Sequence, residues 1–232
     1  SDTAAEHLSK YVGKLQLWGL TNLSDTAAEF LGEHAGELDL YGLTELSDDV
    51  AEALSKHVGK LRLGGLTNLS DTAAEFLSKH AGGLVLYGLD EISTAAAEAL
   101  ESGTTYLTVE LQYHLGSRYY WGDGALQDYT EALKWFQLAA EQGDVYEQGD
   151  SFFYSPHPMV VADAQEAIGR IYLSGKGVTQ DYKEAIKWLQ RAADYGNAGA
   201  QSGIAAMYRD GLGVPQDYTE ALKWFQLAAE QE

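Results

Sequence analysis

A nine-residue motif, LSDTAAEFL, organises the first half of the chain: Leu23, Leu46, Leu69 and Ile92 open successive copies 23 residues apart. A period of that length means that each unit is one supersecondary element unable to bury its apolar side alone, so neighbours must stack. In the unit from Leu69 to Glu91, Ser70 and Asp71 suit a helix start, and Ala73, Ala74 and Leu77 follow at helical spacing. Leu84, Val85, Leu86 and Tyr87 then alternate as a half-buried strand does, and Gly88-Leu89 ends the run. One helix and one short strand per 23 residues predict stacked parallel strands with helices on the outer face.

This pattern resembles the leucine-rich repeat horseshoe, an α/β solenoid, over residues 1 to about 110, with four strands in close copies and a fifth, Leu107 to Glu110, in degenerate form. Where that family commonly has asparagine, Gly19-Leu20, Gly42-Leu43, Gly65-Leu66 and Gly88-Leu89 stand instead, as in a variant common in environmental bacterial sequences. Framework positions barely change between units. The two residues per strand expected on the concave face do change: Gln16 and Trp18, Asp39 and Tyr41, Arg62 and Gly64, Val85 and Tyr87, Thr108 and Glu110. Trp18, Tyr41 and Tyr87 form an aromatic column broken by Gly64. A binding groove with shaped pockets would need this, and a tolerant exposed strand face would also allow it. Tyr11, His34, His57 and His80 recur at the same period near helix C-termini, where a histidine suits the helix dipole. No acidic ligand shares their column, so no metal site is expected there.

At Leu111 a second period begins. QDYTEALKWFQLAAEQ at Gln127, QDYKEAIKWLQRAADY at Gln180 and QDYTEALKWFQLAAEQ at Gln216 each follow a helix ending in a glycine pair, and the last two are 36 residues apart. Two helices per unit and the column Trp135, Trp188 and Trp224 resemble the Sel-one-like repeat, a tetratricopeptide relative. That resemblance implies an all-α superhelix used as an adaptor or interaction scaffold. Some relatives depend on disulfides, which this cysteine-free chain cannot form. The tryptophan and tyrosine columns read as core packing.

From Gln127 to Gln180 the interval is 53 residues, 17 more than one period. Removing residues 145–161 restores the register, which predicts an inserted loop projecting from an interhelix turn. Its aromatic and proline-flanked residues, Tyr146, Phe152, Phe153, Tyr154, His157 and Met159, are candidates for partner contact. His157 has no obvious partner and reads as a contact residue rather than a general base.

Composition closes off several classes. The net charge of -20 is spread, with -12 in residues 1–110 and -8 beyond, which opposes nucleic acid and anionic membrane surfaces. No apolar run is long enough to span a membrane, and no leader pattern opens the sequence. There is no phosphate-binding glycine loop, nucleophile elbow, zinc-protease motif or calcium loop. The expectation is therefore a leucine-rich repeat part, 1–110, spliced onto a Sel-one-like part, 111–232, as one continuous hybrid solenoid without catalysis or cofactor. Its expected function is to bind a protein or peptide through Gln16, Trp18, Asp39, Tyr41, Arg62, Val85 and Tyr87 and through the loop. The alternative is a structural subunit, or an engineered or truncated repeat protein, that associates with itself through uncapped solenoid ends.

Overall fold

The computed structural model describes residues 2–89, 91–101, 105–123, 125–142 and 158–231. They fall into two compact units, residues 1–111 and 112–232.

The first unit alternates helix and strand: α1 (Asp2–Ser9), β1 (Leu15–Gln16), α2 (Asp25–Gly32), β2 (Leu38–Asp39), α3 (Asp48–Ser55), β3 (Leu61–Arg62), α4 (Asp71–Leu77), β4 (Leu84–Leu86), α5 (Thr94–Glu101) and β5 (Thr105–Leu107). The strands form one parallel sheet in the order β1-β2-β3-β4-β5. Their register pairs Leu15 with Leu38, Leu38 with Leu61 and Leu61 with Leu84, so equivalent residues of successive repeats lie side by side. Strands of two or three residues cannot hold a sheet by themselves. The buried leucine columns hold it: Leu38, Leu61 and Leu84 in one, Leu40, Leu63 and Leu86 in the next, Leu43, Leu66 and Leu89 in a third. Each such side chain contributes about 1.5–3 kcal/mol by leaving water.

The recurring Leu-Ser-Asp triplet has a double use. Ser24, Ser47 and Ser70 cap α2, α3 and α4, their Oγ atoms accepting from the amides of Ala27, Val50 and Ala73. The same hydroxyls link repeats: Ser24 Oγ donates to Asp2 Oδ1 at 2.6 Å, and Ser70 and Ser93 donate to Asp48 and Asp71. Those aspartates sit in the first turns of the preceding helices, where the dipole also favours a negative charge. The alanine pairs Ala27-Ala28, Ala73-Ala74 and Ala96-Ala97 are buried between neighbouring helices. The glycines after β2, β3 and β4, Gly42, Gly65 and Gly88, are required by close approach. A Cβ on Gly65 would lie 1.9 Å from the carbonyl oxygen of Tyr41, and one on Gly42 2.2 Å from that of Trp18.

The degenerate fifth repeat departs from expectation. β5 pairs Thr105 with Leu84 and ends at Leu107, and Val109 already opens α6 (Val109–Trp121). Thr108 Oγ1 accepts from the amide of Leu111 at 3.1 Å, capping that helix. Thr108 and Glu110 are therefore not strand-face residues: the repeat is shortened and the cap pulls the chain into a helix.

The second unit is a helical repeat solenoid. After α6 come α7 (Tyr129–Gln142), α8 (Pro158–Ser174), α9 (Tyr182–Asp194), α10 (Ala198–Asp210) and α11 (Tyr218–Ala229). Each is seated on the next, α7 on α8, α8 on α9, α9 on α10 and α10 on α11. The Gln-Asp-Tyr signature explains the turn within each pair. Gln127, Gln180 and Gln216 donate Nε2–H to the carbonyls of Tyr120, Leu173 and Arg209 at 2.9, 2.8 and 2.7 Å. The following Asp128, Asp181 and Asp217 cap α7, α9 and α11 through Oδ1. Before them Gly175 and Gly177 turn the chain at φ +69 and +71°, a left-handed region that favours glycine.

The last four residues of the insertion are helical. α8 begins at Pro158, where proline suits the first helical position, and it is four residues longer at its start than α10. Residues 158–161 are thus a helical turn: Val161 is buried and Met159 is exposed on the helix rather than carried by a loop. Tyr146, Phe152, Phe153, Tyr154 and His157 lie outside the described residues.

Candidate functional site

The strand face of the first unit brings together part of what the sequence singled out. Trp18, Tyr41 and Tyr87, each one or two residues past a strand, are 47, 54 and 38% exposed, and Gln16 is exposed beside them. Two other residues are not surface contacts. Val85 is 2% exposed, paired along the sheet with Tyr106, and Asp39 is buried at 7%. Asp39 acts through the aromatics: its Oδ2 accepts from the indole N–H of Trp18 at 2.8 Å and its Oδ1 from the amide of Tyr41 at 3.2 Å. The break at Gly64 is not an empty pocket, because the Tyr41 ring lies over it. A Cβ there would meet Tyr41 Cδ2 at 3.0 Å.

Beside this column Arg62 donates Nε–H to Glu37 Oε1 at 2.7 Å, and Lys14 Nζ lies 3.0 Å from the same oxygen. Burial works to raise the Glu37 carboxyl, but Lys14 and Arg62 outweigh it and hold it below the usual range. Arg62 is thereby fixed in place and partly shielded. Glu37 and Lys14, which come from neighbouring repeats, are the residues of this group that strand alternation did not flag.

The histidine column is interior. His34, His57 and His80 are 5% exposed or less, their rings stacked at 6.0 and 5.8 Å between centroids and within 4° of parallel. His34 Nε2 and His80 Nε2 lie 2.9 Å from the carbonyl oxygens of Gly13 and Gly59, so each must donate. Burial lowers the pKa of His57 and of His80. His34 and His80, braced by the preceding repeat's backbone, and His57 stacked between them form a structural ladder.

In the second unit a polar cluster sits where α8 approaches α6 and α10. Asp163 Oδ1 accepts from Asn197 Nδ2 at 2.8 Å, while Asn197 Oδ1 caps α10 through the Ala200 amide. Burial raises the carboxyls of Asp163 and Glu166 and, followed by Asp163, the phenol of Tyr113. Arg170 pairs with Glu166 at 2.8 Å. The i,i+3 spacing of Asp163 and Glu166 on one helix face was the available signal for this group. Its geometry ties repeats together through Asn197. The tryptophan column is embedded to different depths: Trp135 is buried, whereas Trp188 and Trp224 are half-buried. Among the described residues, no helix is long and apolar enough to cross a membrane.

Comparison with known proteins bears on the second unit. The Sel1 repeat family matches residues 109–144, 162–197 and 198–232, leaving 145–161 unmatched. The chain is similar to a negative regulator of exopolysaccharide production from Rhizobium meliloti, 27% identical over an alignment of 125 residues that covers 37% of this chain and 47% of the relative. It thus spans about half the length of that curated relative. Among solved structures, it is similar to a Sel1 repeat protein from Oxalobacter formigenes, at 33% identity over 53% of this chain and 80% of the other, with a TM-score of 0.41. It is also similar to a protective antigen of uropathogenic Escherichia coli strains displaying an SLR fold, at 25% identity over 81% of this chain and 34% of the other, TM-score 0.47. Such repeats generally serve as protein-interaction scaffolds. Residues 109–144, 162–197 and 198–232 are thus three Sel1 repeats, and they make up most of the second unit.

Proposed function

We propose that the protein is a non-catalytic scaffold whose first unit is a leucine-rich repeat of the 23-residue variant, and that it binds a protein or peptide across the strand face of that unit. The carrying observation is the row of Trp18, Tyr41 and Tyr87, three large aromatics left 38% exposed or more on one strand face of a well-filled unit. Aromatic anchors of this kind supply most of the energy of many interfaces. Asp39 orients Trp18 and the backbone at Tyr41, so two of the anchors are preorganised before a partner arrives. The Glu37, Lys14 and Arg62 group adds a charged rim suited to fixing register. The Rhizobium relative's name as a negative regulator fits an adaptor that acts by holding another protein. Aromatics in the 145–161 segment would extend the same binding role.

Photo-crosslinking tests this reading. A photoreactive phenylalanine at Tyr41 or Tyr87 should give a discrete adduct in cells producing the protein, and the same group at Glu52, exposed on α3, should not. Equal labelling from both positions would show that the strand face has no preference for a partner.

A further inference from the structure

The second repeat of the first unit breaks with its neighbours just where α2 ends. Lys10, Lys56 and Lys79 follow α1, α3 and α4, but the equivalent residue after α2 is Glu33. Lys10 and Lys56 pair with the glutamates four residues before them, Glu6 at 3.1 Å and Glu52 at 3.6 Å. Glu33 has Glu29 at that spacing, a like charge on the same helix face. It is also the C-cap of α2, the helix end at which the dipole favours a cation. Among the described residues neither carboxylate has an ion-pair partner. Local rules broken without a compensating contact point to a binding position rather than a structural one.

The preceding residue changes too. Ser9, Ser55 and Ser78 turn their hydroxyls onto carbonyls of their own helices, and Gly32 stands in their place in α2. The helices approach so closely here that a Cβ on Gly32 would lie 2.6 Å from the Ala53 carbonyl oxygen. Beside Gly32, Glu29 and Glu33 line a cleft of about 560 Å³ between the ends of α2 and α3. Ala35, Ala53 and Val58 form its apolar wall, and Val58 is 77% exposed. His34, 1% exposed, lines the same cleft. Its Nε2–H is spent on the Gly13 carbonyl, while its Nδ1 is buried with no hydrogen-bond partner. With the proton on Nε2, Nδ1 presents a lone pair. Two unpaired carboxylates, the carbonyl end of a helix and a buried acceptor thus line one cleft with an apolar wall.

Acceptors of this kind call for an occupant that only donates. Among the described residues no group of three His, Asp or Glu is placed to hold a metal ion, so the donor is organic. An ammonium carries three donors and no acceptor, and an alkyl stem behind it suits alanine and valine. Lys56 borders the cleft, but its own ammonium is held by Glu52. We propose that this cleft binds an alkylammonium group, carried by a lysine of a partner or by a small primary amine, with its charge at Glu29 and Glu33 and its stem along Val58. The inference does not depend on the strand face.

The test follows the backbone amide resonances of Ala35 and Val58 in the full chain at low salt, as pentylamine or acetyl-alanyl-lysyl-alanine amide is added. Saturable shifts are expected, with affinity weakened about tenfold or more by Glu33→Lys. That variant restores the charge pattern of the other repeats and should raise the thermal midpoint by about 2 °C or more, which separates lost binding from lost folding. Tighter binding of the peptide assigns the cleft to a partner's lysine, and tighter binding of pentylamine assigns it to a small amine. No saturation by either probe up to about 50 mM would overturn the proposal. So would shifts of equal size from uncharged 1-pentanol, or undiminished binding in Glu33→Lys.

Discussion

The indole N–H of Trp18 donates to Oδ2 of Asp39 across 21 residues of sequence, at 2.8 Å, and so an exposed aromatic of one repeat is aimed by a buried carboxylate of the next. The other oxygen of Asp39 accepts from the Tyr41 amide at 3.2 Å. Asp39→Ala removes both acceptors at once. Trp18 is 47% exposed, so its indole regains water as a partner and the loss stays moderate. Denaturant unfolding should show a cost of about 1–2 kcal/mol. Asp39→Asn, which keeps an acceptor oxygen, should cost less than half of that. Equal costs for the two would mean that the hydrogen bonds do not matter and that only the packing of Asp39 does.

The glycine that closes each strand gives an internal comparison. A Cβ on Gly65 would lie 1.9 Å from the Tyr41 carbonyl oxygen, but one on Gly19 meets nothing within 4 Å. The obstructing atom at Gly65 is backbone and cannot swing aside. Gly65→Ala should destabilise the first unit by about 3 kcal/mol or more, and Gly19→Ala should stay within about 0.5 kcal/mol of the parent. Midpoints of urea unfolding for the two variants check this directly, and similar shifts in both would contradict the close stacking of successive repeats.

How far residues could be read in advance depends on whether periodicity or a single neighbour decides their place. The leucine columns, the Ser caps and the Gln-Asp-Tyr turns follow from spacing, because every repeat imposes the same surroundings on the same position. Val85 carries the alternation of an exposed residue and is nonetheless buried, as is Asp39 at the equivalent position of β2. Repeat register gives the point where the repeat resumes, at 162, but not the extra helical turn at 158–161 that Pro158 permits before it. Arg62 is a candidate by its place on the strand, but its pairing with Glu37 and Lys14 escapes notice because the three come from different repeats.

The serine hydroxyls have two tasks that can be separated. Ser70 Oγ accepts from the Ala73 amide at 3.0 Å and donates to Asp48 of the preceding repeat. Asp48→Asn should weaken the link between repeats and the favourable charge at the start of α3, together at about 0.5 kcal/mol on the exposed surface, while Ser70→Ala loses the link and the cap, at about 1 kcal/mol. Thermal melts of the two variants check the order. A greater loss from Asp48→Asn than from Ser70→Ala would show that the cap is the minor function.

The histidine ladder makes the stability of the first unit depend on pH, and the sign follows from burial. His57 and His80 have folded-state pKa values below that of an unfolded histidine, about 6.5. The unfolded chain therefore binds protons that the folded chain refuses. The stabilisation is complete above pH about 6.5 and is lost as the pH falls from there through the folded values, with a slope of up to about 1.4 kcal/mol per pH unit for each histidine. Glu37 acts in the same direction but only nearer the carboxylate range, because its pKa is lowered from 4.5. The raised carboxyls of Asp163 and Glu166 act oppositely, gaining protons on folding, and they belong to the second unit. Hydrogen exchange at the amides of Leu38 and Leu61, which donate along the sheet to Lys60 and Gly83, reports on the first unit by itself. Protection there should fall between pH 7 and 5 after correction for intrinsic exchange. His57→Asn should reduce the size of that fall, because it removes one of the two histidines that resist protonation. Protection that stays level across this range, or an undiminished fall in the variant, would place the acid sensitivity outside the ladder.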